Sequence, residues 1–247
     1  MNQDGALLSA AGLCKRFDAL VVLDRVDLAL EAGEALGIVG PNGAGKTTLL
    51  GVLSGAHKPN AGAVRFGGAD VTRLAAAERC RLGIARTHQV PRSFGGMSVF
   101  ENILVAAGHG GGLKGGAAYD RGIDCLTICG MRALANRPAE TLGLLDRKRL
   151  ELARALATGP AVLLLDEIGG GLTDGEAGEL VETIRELRRR GIALIWIEHI
   201  VHILLQVAER LICMDAGRVI ADGDPRAVLS DRTVIDAYFG RDAPCLD

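Results

Sequence analysis

Residues 40–48 read Gly-Pro-Asn-Gly-Ala-Gly-Lys-Thr-Thr, a complete G-x-x-x-x-G-K-[ST] run. No other stretch restricts the fold so tightly, because such a loop functions only between a strand and a helix. Both flanks comply. Ala35 to Val39 is a short apolar strand, and Leu49 to Ser54 continues as a helix that stops at Gly55. Glycines let backbone N–H groups crowd around phosphate oxygens with no Cβ in the way. The helix N-terminus adds a favourable partial positive charge. Lys46 is expected to reach the β- and γ-phosphates of a nucleotide and Thr47 to hold Mg²⁺.

The 247 residues suffice for one large α/β domain or a core with a small subdomain. A hydrophobic content of 49% with a net charge of −2 describes a chain that folds. It offers no basic excess for nucleic acid. No run of 18 apolar residues is present to span a membrane, and the first residues lack the basic and apolar regions of a secretion signal. Cysteines 14, 80, 125, 129, 213 and 245 form no C-x-x-C pair, so they are read as reduced thiols that fill the core rather than bind metal.

Along the chain, residues 6–31 alternate in the manner of antiparallel strands, best seen at Leu20–Leu23 and Val26–Leu30. Ala63 to Phe66 is a further strand. Composition changes after about residue 89. The glycines at 108, 110–112, 115 and 116 fall between weakly helical stretches and read as a mobile joint inside an inserted region, roughly 90–150. Regular alternation resumes with a helix from Arg149 to about Thr158. Ala161–Leu165 is a buried parallel strand, 176–190 an amphipathic helix, and Ile192–Ile197 another buried strand. Asp224-Pro225 starts a helix as cap and first turn.

The strand at 161–165 runs into Asp166-Glu167. A carboxylate at the end of a buried strand is where a phosphate-loop protein places its second Mg²⁺ contact, and Glu167 is then positioned to polarise an attacking water. Gln89, with its amide oxygen, is a candidate Mg²⁺ or water ligand. His199 follows the strand ending at Ile197 and could hydrogen-bond the γ-phosphate.

This ordered set resembles the ATP-binding cassette family, the ATPase subunits of ABC transporters, over about residues 7–240. The resemblance implies a P-loop NTPase (RecA-like) α/β core with a small antiparallel β-subdomain and an inserted helical subdomain. In that scheme the chain is one ATPase domain, with 1–89 and 150–240 as nucleotide-binding core and 90–149 as helical subdomain. Phe17 corresponds to the aromatic that stacks on adenine. Asn42, Gly43, Ala44, Gly45, Lys46, Thr47 and Thr48 belong to the Walker A loop, Gln89 to the Q-loop, Asp166 and Glu167 to Walker B, and His199 to the H-loop. ATP and Mg²⁺ are the implied cofactors, with Thr47, Gln89 and Asp166 on the metal and Glu167, His199 and Gln89 in catalysis. The wording at Arg86–Gln89, Leu150–Leu156, Ile197–His199 and Val234–Gly240 is similar to the ATPases of branched-chain amino acid importers. An exporter ATPase and a non-transport ABC ATPase remain alternatives. The resemblance further implies separate permease subunits, a second ATPase subunit, a solute-binding protein for an importer, and a place on the cytoplasmic face of the membrane.

Two stretches depart from the family. The signature L-S-G-G-Q is replaced by Leu142-Gly143-Leu144-Leu145-Asp146, which removes one hydroxyl donor and adds a Cβ at 145. Asp146 is expected to open the following helix. In the family's head-to-tail dimer each signature faces the partner's phosphate loop, so the expectation is a heterodimer with one slower site. After Glu167, the run Ile168-Gly169-Gly170-Gly171-Leu172-Thr173-Asp174 lacks the usual proline and is expected to form a looser link.

Overall fold

Alternate residues of a strand face opposite sides, and that alternation divides this protein's core into two layers. In the computed structural model, which describes residues 5–239, Val162 and Leu164 point into one apolar cluster while Leu163 and Leu165 point into another. All four are fully buried, as a parallel strand covered on both faces should be.

The described elements are β1 (Leu8–Phe17), β2 (Leu20–Leu30), β3 (Ala35–Val39), α1 (Lys46–Leu53), β4 (Ala61–Phe66), β5 (Ala69–Asp70), α2 (Ala76–Leu82) and β6 (Ile84–Arg86). They continue with α3 (Val99–His109), α4 (Gly115–Ile128), α5 (Leu144–Ala157), β7 (Val162–Asp166), α6 (Asp174–Arg189) and β8 (Ala193–Ile197). The last are α7 (Val201–Leu204), β9 (Arg210–Asp215), β10 (Arg218–Gly223), α8 (Pro225–Ser230) and α9 (Arg232–Phe239). The larger sheet has the order β10-β9-β3-β8-β7-β6 and is parallel except for β10 at its edge. The smaller sheet is antiparallel, in the order β2-β1-β4-β5. One face of the parallel sheet packs with α1 against the small sheet, through Ile38, Leu164, Ile195 and Leu50 among others. The other face joins α6 and the inserted helices, whose Ile103, Leu126 and Leu150 share a cluster with Leu165 and Trp196. The fold is thus the α/β P-loop architecture, with an antiparallel sheet and a helical insert.

Strand register sets the site. Ile197 is level with Ile38 on one side and Asp166 on the other, and Arg86 pairs with Leu164. The carboxyl ends of β3, β8, β7 and β6 therefore open onto one edge, where ligands of open α/β sheets bind.

Several local expectations are corrected. Leu20–Leu23 and Val26–Leu30 are one strand, β2, kept continuous by a left-handed Arg25 (φ 53°) and shifts in its register with β1. The helix expected from Arg149 begins at Leu144, so it crosses residues 149 and 150. Gly143 is its extended N-cap, and Asp146 lies inside the first turn, 3.6 Å from Arg149, rather than opening the helix. The glycine-rich joint is open at Gly112, Gly115 and Gly116 but closely packed at Gly110. A Cβ on Gly110 would stand 2.5 Å from Thr158 Cγ2, so the chain there passes directly against the end of α5. Cys125, Cys129 and Cys213 are buried free thiols, while Cys245 and Gly240 lie outside the described residues. Among the described residues, no helix is long and apolar enough to cross a membrane.

Candidate functional site

The phosphate loop leaves β3 through Gly40 (φ 145°), where a Cβ would collide with Met214 O at 2.1 Å. It enters α1 through Gly45 (φ 99°), where a Cβ would meet Val22 O at 2.6 Å. Both are conformations that side-chain-bearing residues rarely adopt, so the glycines are required by backbone shape. The loop's start is held from the far end of the chain: Gly40 N–H donates to the Tyr238 hydroxyl of α9 at 2.6 Å. Lys46 is buried and folded back, donating from Nζ to Gly40 O at 2.6 Å and Pro41 O at 3.0 Å. Burial lowers its pKa, against the raising influence of Glu167, Cys213 and Asp166. Its ammonium is therefore a cation short of anionic partners, beside the unpaired N–H groups of a helix start.

These residues floor a cleft of about 460 Å³ lined by Val22, Asn42, Gly43, Ala44, Gly45, Lys46, Thr47, Thr48, Gln89, Glu167 and His199. Glu167 is its centre. Its Oε2 accepts from the Gln89 amide at 2.5 Å, and its Oε1 meets His199 Nε2 at 2.8 Å. Behind it Asp166 is buried, with Oδ1 accepting from the Thr47 hydroxyl at 3.2 Å and Oδ2 from Arg86 at 2.7 Å.

The donor set fits Mg²⁺. A threonine hydroxyl and one carboxylate oxygen, 3.2 Å apart, are hard oxygen ligands of the kind that leave the remaining positions to phosphate and water. Among the described residues there is no cluster of three or more His, Cys, Asp or Glu side chains suited to a metal held by protein alone. Gln89 lines the cleft, but its contact is with Glu167, not with the Thr47–Asp166 pair. Phe17 is not part of the lining. It is 42% exposed at the end of β1, edge-on to His57 at 5.4 Å, with Lys15 Nζ 4.8 Å from its ring centre.

Three contributors escaped the sequence reading as site residues. Arg86 ends β6 and neutralises Asp166. Glu151, buried on α5, accepts from the N–H groups of His88 and Arg92, each at 3.3 Å, and from Arg154 at 3.0 Å. It thereby fastens the segment around Gln89 to the inserted helices. Tyr238 is the third. The available signal was positional: arginine three residues before Gln89, and a carboxylate within the helix after the signature.

The signature region differs from the phosphate loop. Gly143 supplies no side-chain cap to α5, Leu144 is 46% exposed, and Leu145 and Asp146 follow it into the first turn. The run after Glu167 is not a loose link. Leu172 N–H donates to Gly169 O at 3.2 Å, and Thr173 caps α6 in a reciprocal box with Glu176. Gly169 N–H is held by Glu198.

Comparison with known proteins agrees with the fold. The family model for ABC transporter matches residues 23–169, and that for branched-chain amino acid ATP-binding cassette transporter matches residues 218–244. The chain is 36% identical to the high-affinity branched-chain amino acid transport ATP-binding protein LivG of Escherichia coli K12, over 95% of this chain and 98% of the relative. It is 34% identical to the lipopolysaccharide export system ATP-binding protein LptB of Acidithiobacillus ferridurans, over 95% of this chain and 97% of that one. Among solved structures, an ATP-binding cassette of an ABC transporter in its ADP conformation superposes with a TM-score of 0.87 at 31% identity, over 96% of this chain and 99% of that one.

Proposed function

The chain belongs to the ABC transporter family as an ATP-binding subunit, and on that premise we propose that it hydrolyses ATP to drive uptake of branched-chain amino acids or related small polar solutes. The observation that carries the hydrolytic reading is the convergence of a phosphate loop, a Thr47–Asp166 oxygen pair and a capped Glu167 on one cleft. The match over residues 218–244 to the branched-chain amino acid transporter model supports that substrate class.

ATP would supply the phosphoryl group, and Mg²⁺ would neutralise the charge that develops on it. Lys46 exchanges the carbonyls of Gly40 and Pro41 for phosphate oxygens, a stronger pairing for an ammonium. Thr47 and Asp166 would hold the metal, and Arg86 fixes the second oxygen of Asp166. Glu167 orients the attacking water and accepts its proton. Each of its oxygens has one contact in this structure, with Gln89 and with His199, and each keeps a lone pair with which to take the water. With nucleotide bound, His199 would serve the γ-phosphate and Gln89 the metal or water, roles that would link hydrolysis to movement of the segment after Gln89. Phe17, 42% exposed at the end of β1, would offer its ring to adenine.

The partners proposed are membrane permeases, a solute-binding protein reached through them, and a second ATPase. The membrane's cytoplasmic face is then where the chain works. A heterodimer follows from the signature: Leu144, Leu145 and Asp146 are poor ligands for a partner's phosphate. The test is to capture the tagged chain from detergent-solubilised membranes of its own cell and to measure solute uptake after its deletion. Co-purified permeases with a second ATPase, and lost uptake of leucine, isoleucine and valine, are expected. A ribosomal or DNA-bound assembly with uptake intact would contradict the transport reading.

A further inference from the structure

Glu198 is 2% exposed and precedes His199, yet no role above uses it. A carboxylate buried so deeply is costly unless its oxygens are matched. Here they are matched to backbone on both sides of the cleft's central residue. Oε1 accepts the Gly169 N–H at 2.5 Å, and Oε2 accepts the His199 N–H at 3.2 Å. The first bond holds the turn that follows Glu167. The second holds the loop that carries His199. One side chain thus fastens the two loops whose functional groups meet at Glu167 Oε1. Burial pushes the Glu198 carboxyl up, opposed by these two N–H groups, by the Trp196 indole and, last, by Lys148.

Glu167 needs fastening. Its φ of 48° lies in the left-handed region, rare for a residue with a side chain and maintained only where surroundings over-determine it. Its N–H donates to Ile197 O at 2.9 Å. Its carbonyl accepts from Gly170 N–H at 3.4 Å and lies 3.4 Å from Lys148 Nζ. Lys148 is itself 5% exposed, and it stands on α5, whose first turn carries the altered signature. Gly169 completes the fit, since a Cβ there would lie 2.9 Å from Glu198 Oε1.

We propose that Glu198 and Lys148 are a positioning pair that clamps the backbone around Glu167, sets its separation from His199, and ties both to the signature helix. The clamp rests on the reading of Glu167 as the residue that orients water. Neither Glu198 nor Lys148 touches the reacting atoms, so their loss changes turnover rather than nucleotide affinity.

The test uses the full chain in the assembly with which it co-purifies and reads three quantities: ATP turnover, ATP affinity, and amide hydrogen exchange over residues 168–172 without nucleotide. Glu198→Ala is expected to speed exchange at Gly169 at least tenfold and to lower kcat about 100-fold, with KM unchanged within about twofold. Glu198→Gln keeps an oxygen for the Gly169 N–H and is expected to recover most of that loss. Gly169→Ala is expected to reproduce the Glu198→Ala pattern by displacing the carboxylate, and it carries the test if Glu198→Ala does not fold. Lys148→Met is expected to lower kcat about tenfold, with recovery in Lys148→Arg. Parental exchange at Gly169 in Glu198→Ala, or a kcat loss matched by faster exchange throughout the chain, would overturn the clamp. Parental turnover in Glu167→Gln, run in parallel, would instead remove the catalytic reading beneath it.

Discussion

Around Lys46 the chain gives up side chains so that backbone can come close, with Gly40 and Gly45 in conformations that a Cβ would forbid. Around Gly143 it does the reverse: an uncapped helix start is followed by Leu144, Leu145 and Asp146, two apolar side chains and an anion. Both regions begin a helix and both offer unpaired N–H groups, but only the first is shaped and charged for phosphate. A helix start is therefore an anion site only when the residues around it leave room and the right sign of charge. If the chain pairs head to tail with another ATPase, its own cleft is complete while the cleft it finishes for the partner is not.

Of the effects on stability and binding, the largest lies in the intact region. Asp166→Asn leaves the half-buried Arg86 guanidinium without its carboxylate and should cost about 3 kcal/mol of stability, read from the denaturant midpoint. An unchanged midpoint would show that the pair contributes nothing to the edge of the sheet. Lys46→Ala should weaken ATP binding by about 2 kcal/mol, roughly 30-fold, measured by titration calorimetry. Equal affinity in both proteins would remove the phosphate-loop half of the comparison. Rebuilding the other half sharpens it. Gly143→Ser with Leu145→Gly should raise turnover at the partner's site about tenfold, assayed in the co-purified assembly with this chain silenced by Glu167→Gln. No gain would mean that the signature's composition does not limit that site. The smallest effect concerns the far end of the chain. Tyr238→Phe deletes the hydroxyl that accepts from Gly40 N–H and should weaken ATP binding by about 1 kcal/mol, near fivefold.

The same two regions differ in how far they can be read from sequence. The phosphate loop is legible because strand, glycines, lysine and helix are contiguous and its constraint is local. Asp166, Glu167 and His199 are legible because they end apolar strands. Arg86 is not, because its partner lies 80 residues away and its strand, Ile84–Arg86, is too short to show a period. Glu151, Glu198 and Lys148 are hidden for the same reason: each acts on backbone that the fold, not the sequence, brings near. Glycine misleads twice in the same direction. At Gly110 it marks close packing against Thr158, where the composition suggested mobility. At Gly169 it marks room for a carboxylate, where three consecutive glycines suggested a loose link. The start of α5 was misplaced because Leu144 and Leu145 precede any polar side chain that could announce a cap.

The most direct test of the account is phosphate release by the co-purified assembly carrying Glu167→Gln in this chain, with ATP affinity measured on the same samples. The account predicts that ATP binding stays within about twofold while turnover at this chain's cleft falls about a thousandfold, as expected when the group that orients and deprotonates water is lost. Turnover persisting at the parental rate with ATP still bound would contradict it, and the capped carboxylate at the centre of the cleft would then not be the residue that activates water.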